Sequence, residues 1–188
     1  MKKALLAVLA GLVMATSAIA GEYIGLTAGN GTNTKNDQHS SIGTLSYGQT
    51  NGAWDFDGRF GMIRQARTAT NDNFAEARVR YEWNTTSLGG LKPWVRGTIG
   101  DQIPSTAGQY MYWAVEPGVG FQFTPSFRAD GSYRRGQAFA GSVTDDRRTW
   151  IAAATYAADK KNSFVGRYYS STDTIKANTW ELGYVRSF

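Results

Sequence analysis

The sequence predicts an all-β fold: one transmembrane antiparallel up-and-down barrel of about ten strands, with eight or twelve as alternatives. Three observations predict it. Several segments alternate apolar and polar residues over about ten positions, the length a tilted membrane-spanning strand needs, whereas strands of soluble sandwiches are nearer five or six. The chain ends in "WELGYVRSF", where Trp180, Leu182, Tyr184 and Phe188 alternate up to the last residue. A strand face that stays apolar to its end must meet something other than water. Finally, 13% aromatic residues and 22 glycines coexist with a mean hydropathy of only −0.39, as expected when only alternate residues face lipid.

The first 20 residues are read separately. "MKKALLAVLAGLVMATSAIA" combines Lys2 and Lys3, an apolar stretch from Ala4 to Met14 and a closing "AIA", the pattern of a cleaved signal peptide. Residues 21–188 then form one barrel domain. Loss of the leader takes Lys and Arg from 20 to 18 against 15 Asp and Glu, so the mature net charge is +3. The sequence pI near 9.5 therefore does not argue for nucleic acid in an exported protein. With no cysteine and one histidine, neither disulfides nor a transition-metal site is expected. No cofactor is implied.

Strands are expected near 22–30, 39–49, 53–65, 74–84, 92–101, 109–124, 126–136, 147–158, 163–171 and 178–188. The first places Ile24, Leu26 and Ala28 outward, and the second Leu45 and Tyr47. In "AWDFDGRFGM", Trp54, Phe56, Phe60 and Met62 oppose Asp55, Asp57 and Arg59. In "FAEARVRYEW", Ala75, Ala77, Val79, Tyr81 and Trp83 oppose Glu76, Arg78, Arg80 and Glu82. The fifth strand sends Val95 and Ile99 outward and Arg96 inward. Parity in the sixth runs unbroken through Pro117-Gly118, which predicts a bulge inside one long strand rather than a turn. "SFRADGSYRR" sets Phe127, Ala129 and Tyr133 against Arg128, Asp130, Ser132 and Arg134. The eighth, "TWIAAATYAA", is apolar on both faces and its orientation stays open; the ninth sends Phe164 and Tyr168 out and Arg167 in.

Connections alternate in length. Asn51-Gly52 is a strong hairpin signal, and 124–126 and 159–162 are also tight. Longer polar loops occupy about 30–38, 66–73, 101–108, 137–146 and 172–177; the turn at 84–91 is long for its place. Short periplasmic turns and longer outer loops put both termini on the periplasmic side of a Gram-negative outer membrane. Phe188 then joins the interfacial aromatic girdle, beside lipid and lipopolysaccharide, with Arg186 snorkelling into headgroups. The ending also resembles the C-terminal signature of bacterial outer-membrane barrels, which implies that the assembly machinery of that membrane reads Phe188.

The inward parity collects Arg59, Arg78, Arg80, Arg96, Arg128, Arg134 and Arg167 with Asp55, Asp57, Glu76, Glu82, Glu116, Asp130 and Glu181. Two readings follow. An arginine wall lines a pore that draws small anions, or the charges pair and plug a narrow barrel. If 66–73 joins its flanking strands as a hairpin, Arg59 is expected opposite Arg78 or Arg80, and Asp57 opposite Arg80 or Glu82. Such a like-charge pairing needs an acidic neighbour or a passing anion.

"ARVRYEW", "SFRADGSYRR", "EPGVGFQF" and the ending "ELGYVRSF" resemble the small monomeric porins specific for oligogalacturonate and sialic acid. Members of that family are longer and have twelve strands. The resemblance implies a monomeric passive channel for acidic sugars, with ion and sugar transport through inward arginines. The chain also resembles the OmpA/OmpX-type small barrels, which implies a non-conducting structural or adhesive barrel acting through its loops. Catalysis is not expected: His39 in "DQHSS" lies beside Asp37, Ser40 and Ser41, but polar loops collect these residues by composition. Asp145-Asp146 could attract calcium, yet Arg147-Arg148 follow, and a solvated charge cluster is the simpler reading.

Overall fold

The computed structural model describes residues 21–84, 90–105, 108–141, 146–172 and 176–188. The expected leader lies outside these residues, as do 85–89 of the long turn and Asp145. Ten strands follow one another: β1 (Gly21–Asn33), β2 (Gln38–Asn51), β3 (Trp54–Gln65), β4 (Asn71–Glu82), β5 (Leu91–Ile103), β6 (Tyr110–Thr124), β7 (Phe127–Ala140), β8 (Asp146–Ala157), β9 (Asn162–Ser171) and β10 (Ala177–Ser187). Each pairs antiparallel with its sequence neighbours, and β1 pairs with β10, so the sheet closes on itself. Closure leaves no ladder edge, which is what allows a sheet to sit in hydrocarbon.

Period-two alternation sets the two faces of this wall. Leu26, Phe60, Ile99, Trp150 and Leu182 are each more than half exposed and belong to an apolar belt that runs around the barrel. An apolar surface of that extent is a lipid contact. The interior is inverted. Among the described residues, five buried side chains are apolar and eleven are polar or charged, including Asp57, Arg59, Glu76, Glu116 and Glu181. The orientation of β8 is now decided: Trp150, Ala152, Ala154 and Tyr156 lie on the lipid face, with Thr149, Ile151, Ala153 and Thr155 inward.

Connections of two to four residues on one side face ones of four to six on the other, apart from 83–90, the longest, which lies on the short-turn side. The β2–β3 turn places Gly52 at φ 59°, a left-handed conformation that glycine adopts without strain. Pro117 lies within the continuous strand β6, but the expected bulge is not there. The β6–β7 ladder skips Glu116 and Pro117 and resumes at Gly118↔Ser132 with its register unchanged; the shifts fall between Met111 and Tyr112 and between Gln122 and Thr124. The reason is local: proline removes one donor without adding a residue, so pairing pauses and the count is preserved.

Four inward aromatic residues lie against glycines directly across the ladder: Tyr23↔Gly48, Gly61↔Phe74, Trp94↔Gly118 and Gly100↔Tyr112. A Cβ at any of these glycines would overlap the ring. The missing side chain lets each ring lie along the wall, leaving lumen for the charged groups.

Candidate functional site: a lumen crossed by ion pairs

The register of β3 and β4 governs the lumen chemistry, and it differs from the sequence expectation. Arg59 lies opposite Glu76, Asp57 opposite Arg78, and Asp55 opposite Arg80. The expected facing of Arg59 by Arg78 or Arg80, and of Asp57 by Arg80 or Glu82, is corrected. A two-residue slip keeps every side chain on its own face, so parity could not choose between registers. Opposite charges across these three inward pairs favour the observed one. Arg78 Nε donates to Asp57 Oδ1 at 2.6 Å.

All seven predicted arginines are on the inner face, and most of their ion pairs span strands. Nearer the long-loop end, Arg59 donates to Glu181 at 3.0 Å and Arg134 to Glu76 at 2.9 Å. Tyr112 and Tyr169 hydroxyls add bonds to Glu76 at 2.5 Å and Glu181 at 3.1 Å. Nearer the short-turn end, Arg128 meets Glu82 with a two-pronged contact at 3.1 and 2.7 Å and also reaches Asp130 at 2.7 Å. Arg80 lies between Glu82 at 2.5 Å and Asp130 at 3.6 Å. Between these layers, Arg96 and Ser132 hold Glu116 at 3.3 and 2.9 Å. Asp55, facing Arg80 in the ladder, accepts from Tyr23 at 3.0 Å.

Trp94 joins this network. Its Nε1 donates to Asp130 at 3.0 Å, while the Arg80 and Arg96 guanidiniums lie 4.4 and 5.2 Å from its ring. An aromatic ring within reach of two like charges offsets part of their repulsion. Parity could have found Trp94, Phe74, Tyr112 and Tyr169 as inward residues, because each shares its strand face with a predicted charge. Lys92 and Arg147 belong to the inner face as well, Lys92 lying 3.9 Å from Glu82.

Three cavities follow one another along the lumen. An outer one of about 190 Å³ is walled by Ile42, Ile63 and Phe74 as well as by charge. A middle one of about 90 Å³ is lined by Arg59, Arg78, Arg80, Arg96, Arg134 and Arg167, but by only two carboxylates, Glu116 and Asp130. A third, of about 290 Å³, lies at the short-turn end beside Asp55, Glu82 and Arg128. Arg59 and Arg134 border the first two, and Arg80 and Asp130 the last two, so the ion-pair layers are the partitions.

The other singled-out residues lie elsewhere. His39 Nδ1 is 3.2 Å from Thr32 Oγ1, while Ser40 donates to the Gly31 carbonyl and Ser41 to Asn30. Asp146 lies 3.6 Å from Arg135 and 3.5 Å from Arg148. Phe188 is 68% exposed, its amide donating to the Glu22 carbonyl at 2.9 Å, and the Arg186 guanidinium is 5.9 Å from its ring.

No protein-family model matches the sequence, and no curated protein does. Solved structures do. The chain superposes on the COG4313 outer membrane channel from Pseudomonas putida F1 with a TM-score of 0.61 at 8% identity, over 92% of this chain and 97% of that one. The chain has the outer-membrane β-barrel fold. The β domain of the Bordetella autotransporter BrkA is similar too, with a TM-score of 0.53 at 10% identity, over 91% and 100% of the two chains. The KdgM porin aligns over 90% and 99% at 12% identity, but its TM-score of 0.43 is too low to single out that porin family. Identities this low bear on fold alone.

Proposed function

We propose that this barrel is a narrow passive channel of the Gram-negative outer membrane that admits small anionic solutes. The middle cavity carries the reading. Six guanidiniums but only two carboxylates line its volume of about 90 Å³, because Asp57, Glu76, Glu82 and Glu181, which pair with these arginines, lie outside its wall; the surface a solute meets there is rich in guanidinium. Arg96 Nε, buried and without a hydrogen-bond acceptor among the described residues, adds a donor that an anion would satisfy. Arg167 is held only loosely, 3.9 Å from Glu181. The acidic sugars implied by the sequence resemblance fall within this class. Lipid and lipopolysaccharide surround the belt, Phe188 engages the assembly machinery, and the unit is a monomer. No step of this function is catalytic.

A second reading has its own support. Arg59–Glu181, Arg134–Glu76 and Arg128–Glu82 tie together strands that are not neighbours in the sheet, as a braced, non-conducting barrel working through its outer loops would. Recording from refolded protein in a planar bilayer separates the two. Stable ohmic steps with a reversal potential favouring anions support the channel, and the double change Arg80→Gln and Arg96→Gln shifts that potential towards cations. A folded but silent barrel, or a larger conductance gained by the double variant, supports the brace.

A further inference from the structure

We infer that the solutes of this channel are small monocarboxylates with an apolar body, and that they travel along the inner face of β8. This inference rests on the channel reading and adds a path and a substrate class to it. The lumen wall is chemically lopsided. The charged network runs from β3 to β7: Arg128 and Arg134, although they start on β7 beside β8, reach away from it to Glu82 and Glu76 on β4. On the other side, the Arg59–Glu181 pair joins β3 to β10 and screens the β1–β2 wall behind it.

What remains uncharged is the strip of β8 from Thr149 to Thr155, beyond Arg147, which also borders the outer cavity. Thr149 borders the outer cavity; Ile151, Ala153 and Thr155 border the middle one; Thr155 continues into the third. Val165 of β9 widens the apolar side of the middle cavity. Between Thr149 and Thr155 this strand thus touches all three cavities with small or apolar side chains, while arginines of β3, β4, β5 and β7 line the rest of the middle cavity and Arg167 of β9, opposite Ala153 in the ladder, borders the strip.

A solute moving there meets guanidinium on one side and hydrocarbon on the other. A carboxylate with an alkyl or phenyl body satisfies both walls at once. A uronic acid satisfies only the arginines, since its hydroxyls would lose water against Ile151, Ala153 and Val165 without gaining partners. A neutral apolar solute fails in the opposite way.

The chain contains no cysteine, so single cysteines can report the path. The experiment uses the refolded full-length barrel in planar bilayers, with butyrate, benzoate, glucuronate and chloride as charge carriers. Butyrate and benzoate are expected to be more permeant than glucuronate by roughly tenfold, the discrimination that one or two buried methylenes supply. In the Ala153→Cys variant, an anionic methanethiosulfonate should block the current, and benzoate should slow the block more than glucuronate does. In Thr27→Cys, on the inner face of β1, the same reagent should leave the current intact. Equal permeation by glucuronate and benzoate, or equal block at positions 27 and 153, overturns this inference and leaves the channel standing. A folded barrel silent in every salt overturns the channel reading and this inference together.

Discussion

Trp94 shows how one side chain can serve the wall and the lumen together. Its ring fills the space that Gly118 leaves, its indole N–H holds Asp130, and its face lies beside Arg80 and Arg96. It is 4% exposed, so truncation removes contacts with nothing to replace them. Trp94→Ala is expected to cost about 3–5 kcal/mol, the range for deleting a buried tryptophan or phenylalanine. The midpoint of urea unfolding in detergent micelles, followed by tryptophan fluorescence, checks it. A loss near the level of an exposed change such as Trp150→Ala would mean the ring is not a keystone.

Hairpins are where local pattern and long-range chemistry meet. In β3–β4, slipping by two residues would keep Phe56, Phe60, Val79 and Ala75 outward and would bring Arg59 opposite Arg78. The observed register instead seats Arg78 on Asp57, with both side chains almost wholly buried. Removing one partner strands a buried charge. Asp57→Asn or Arg78→Gln alone should therefore destabilise the barrel by about 3–5 kcal/mol, and the double variant by less than the sum of the two. Urea unfolding of the four proteins in a double-mutant cycle measures the coupling. Additive losses would show that the turn, and not the pair, holds the register.

At the scale of the whole barrel, closure depends on β1 meeting β10. Eleven residue pairs run from Tyr23↔Ser187 to Asn33↔Ala177, and the Phe188 amide extends the bonding to Glu22. The Phe188 ring contributes little to this seam, being largely exposed on the lipid side. The role proposed for it is in insertion. Deleting Phe188 should lower the amount of heat-modifiable barrel in the outer membrane several-fold, while the barrel that does assemble keeps its sheet spectrum and its conductance. Semi-native gels of membrane fractions, with recordings from the purified remainder, test both halves. Unchanged assembly would remove the terminal aromatic from that role.

Much of this architecture was already legible in the order of the residues. Alternation dictates which side chains share a face, because successive Cβ atoms leave opposite sides of a strand. Hence the strand positions, the belt of Leu26, Phe60 and Leu182 and the inward arginines follow from spacing, while the number of strands stayed open between eight and twelve until the sheet closed at ten. Only β8 resisted, since alanines on both of its faces carry no contrast. Spacing says nothing, however, about distance around a closed wall. Glu181 and Arg59 are 122 positions apart, and Arg134 and Glu76 are 58 apart. Their meetings depend on strand number, register and barrel width taken together. The tertiary structure alone decided that the charges form layers across the lumen, that six arginines share the middle cavity, and that β8 is left as its uncharged wall. The physical reason is that a period of two specifies a face, while a contact across a lumen is specified only once the sheet has closed.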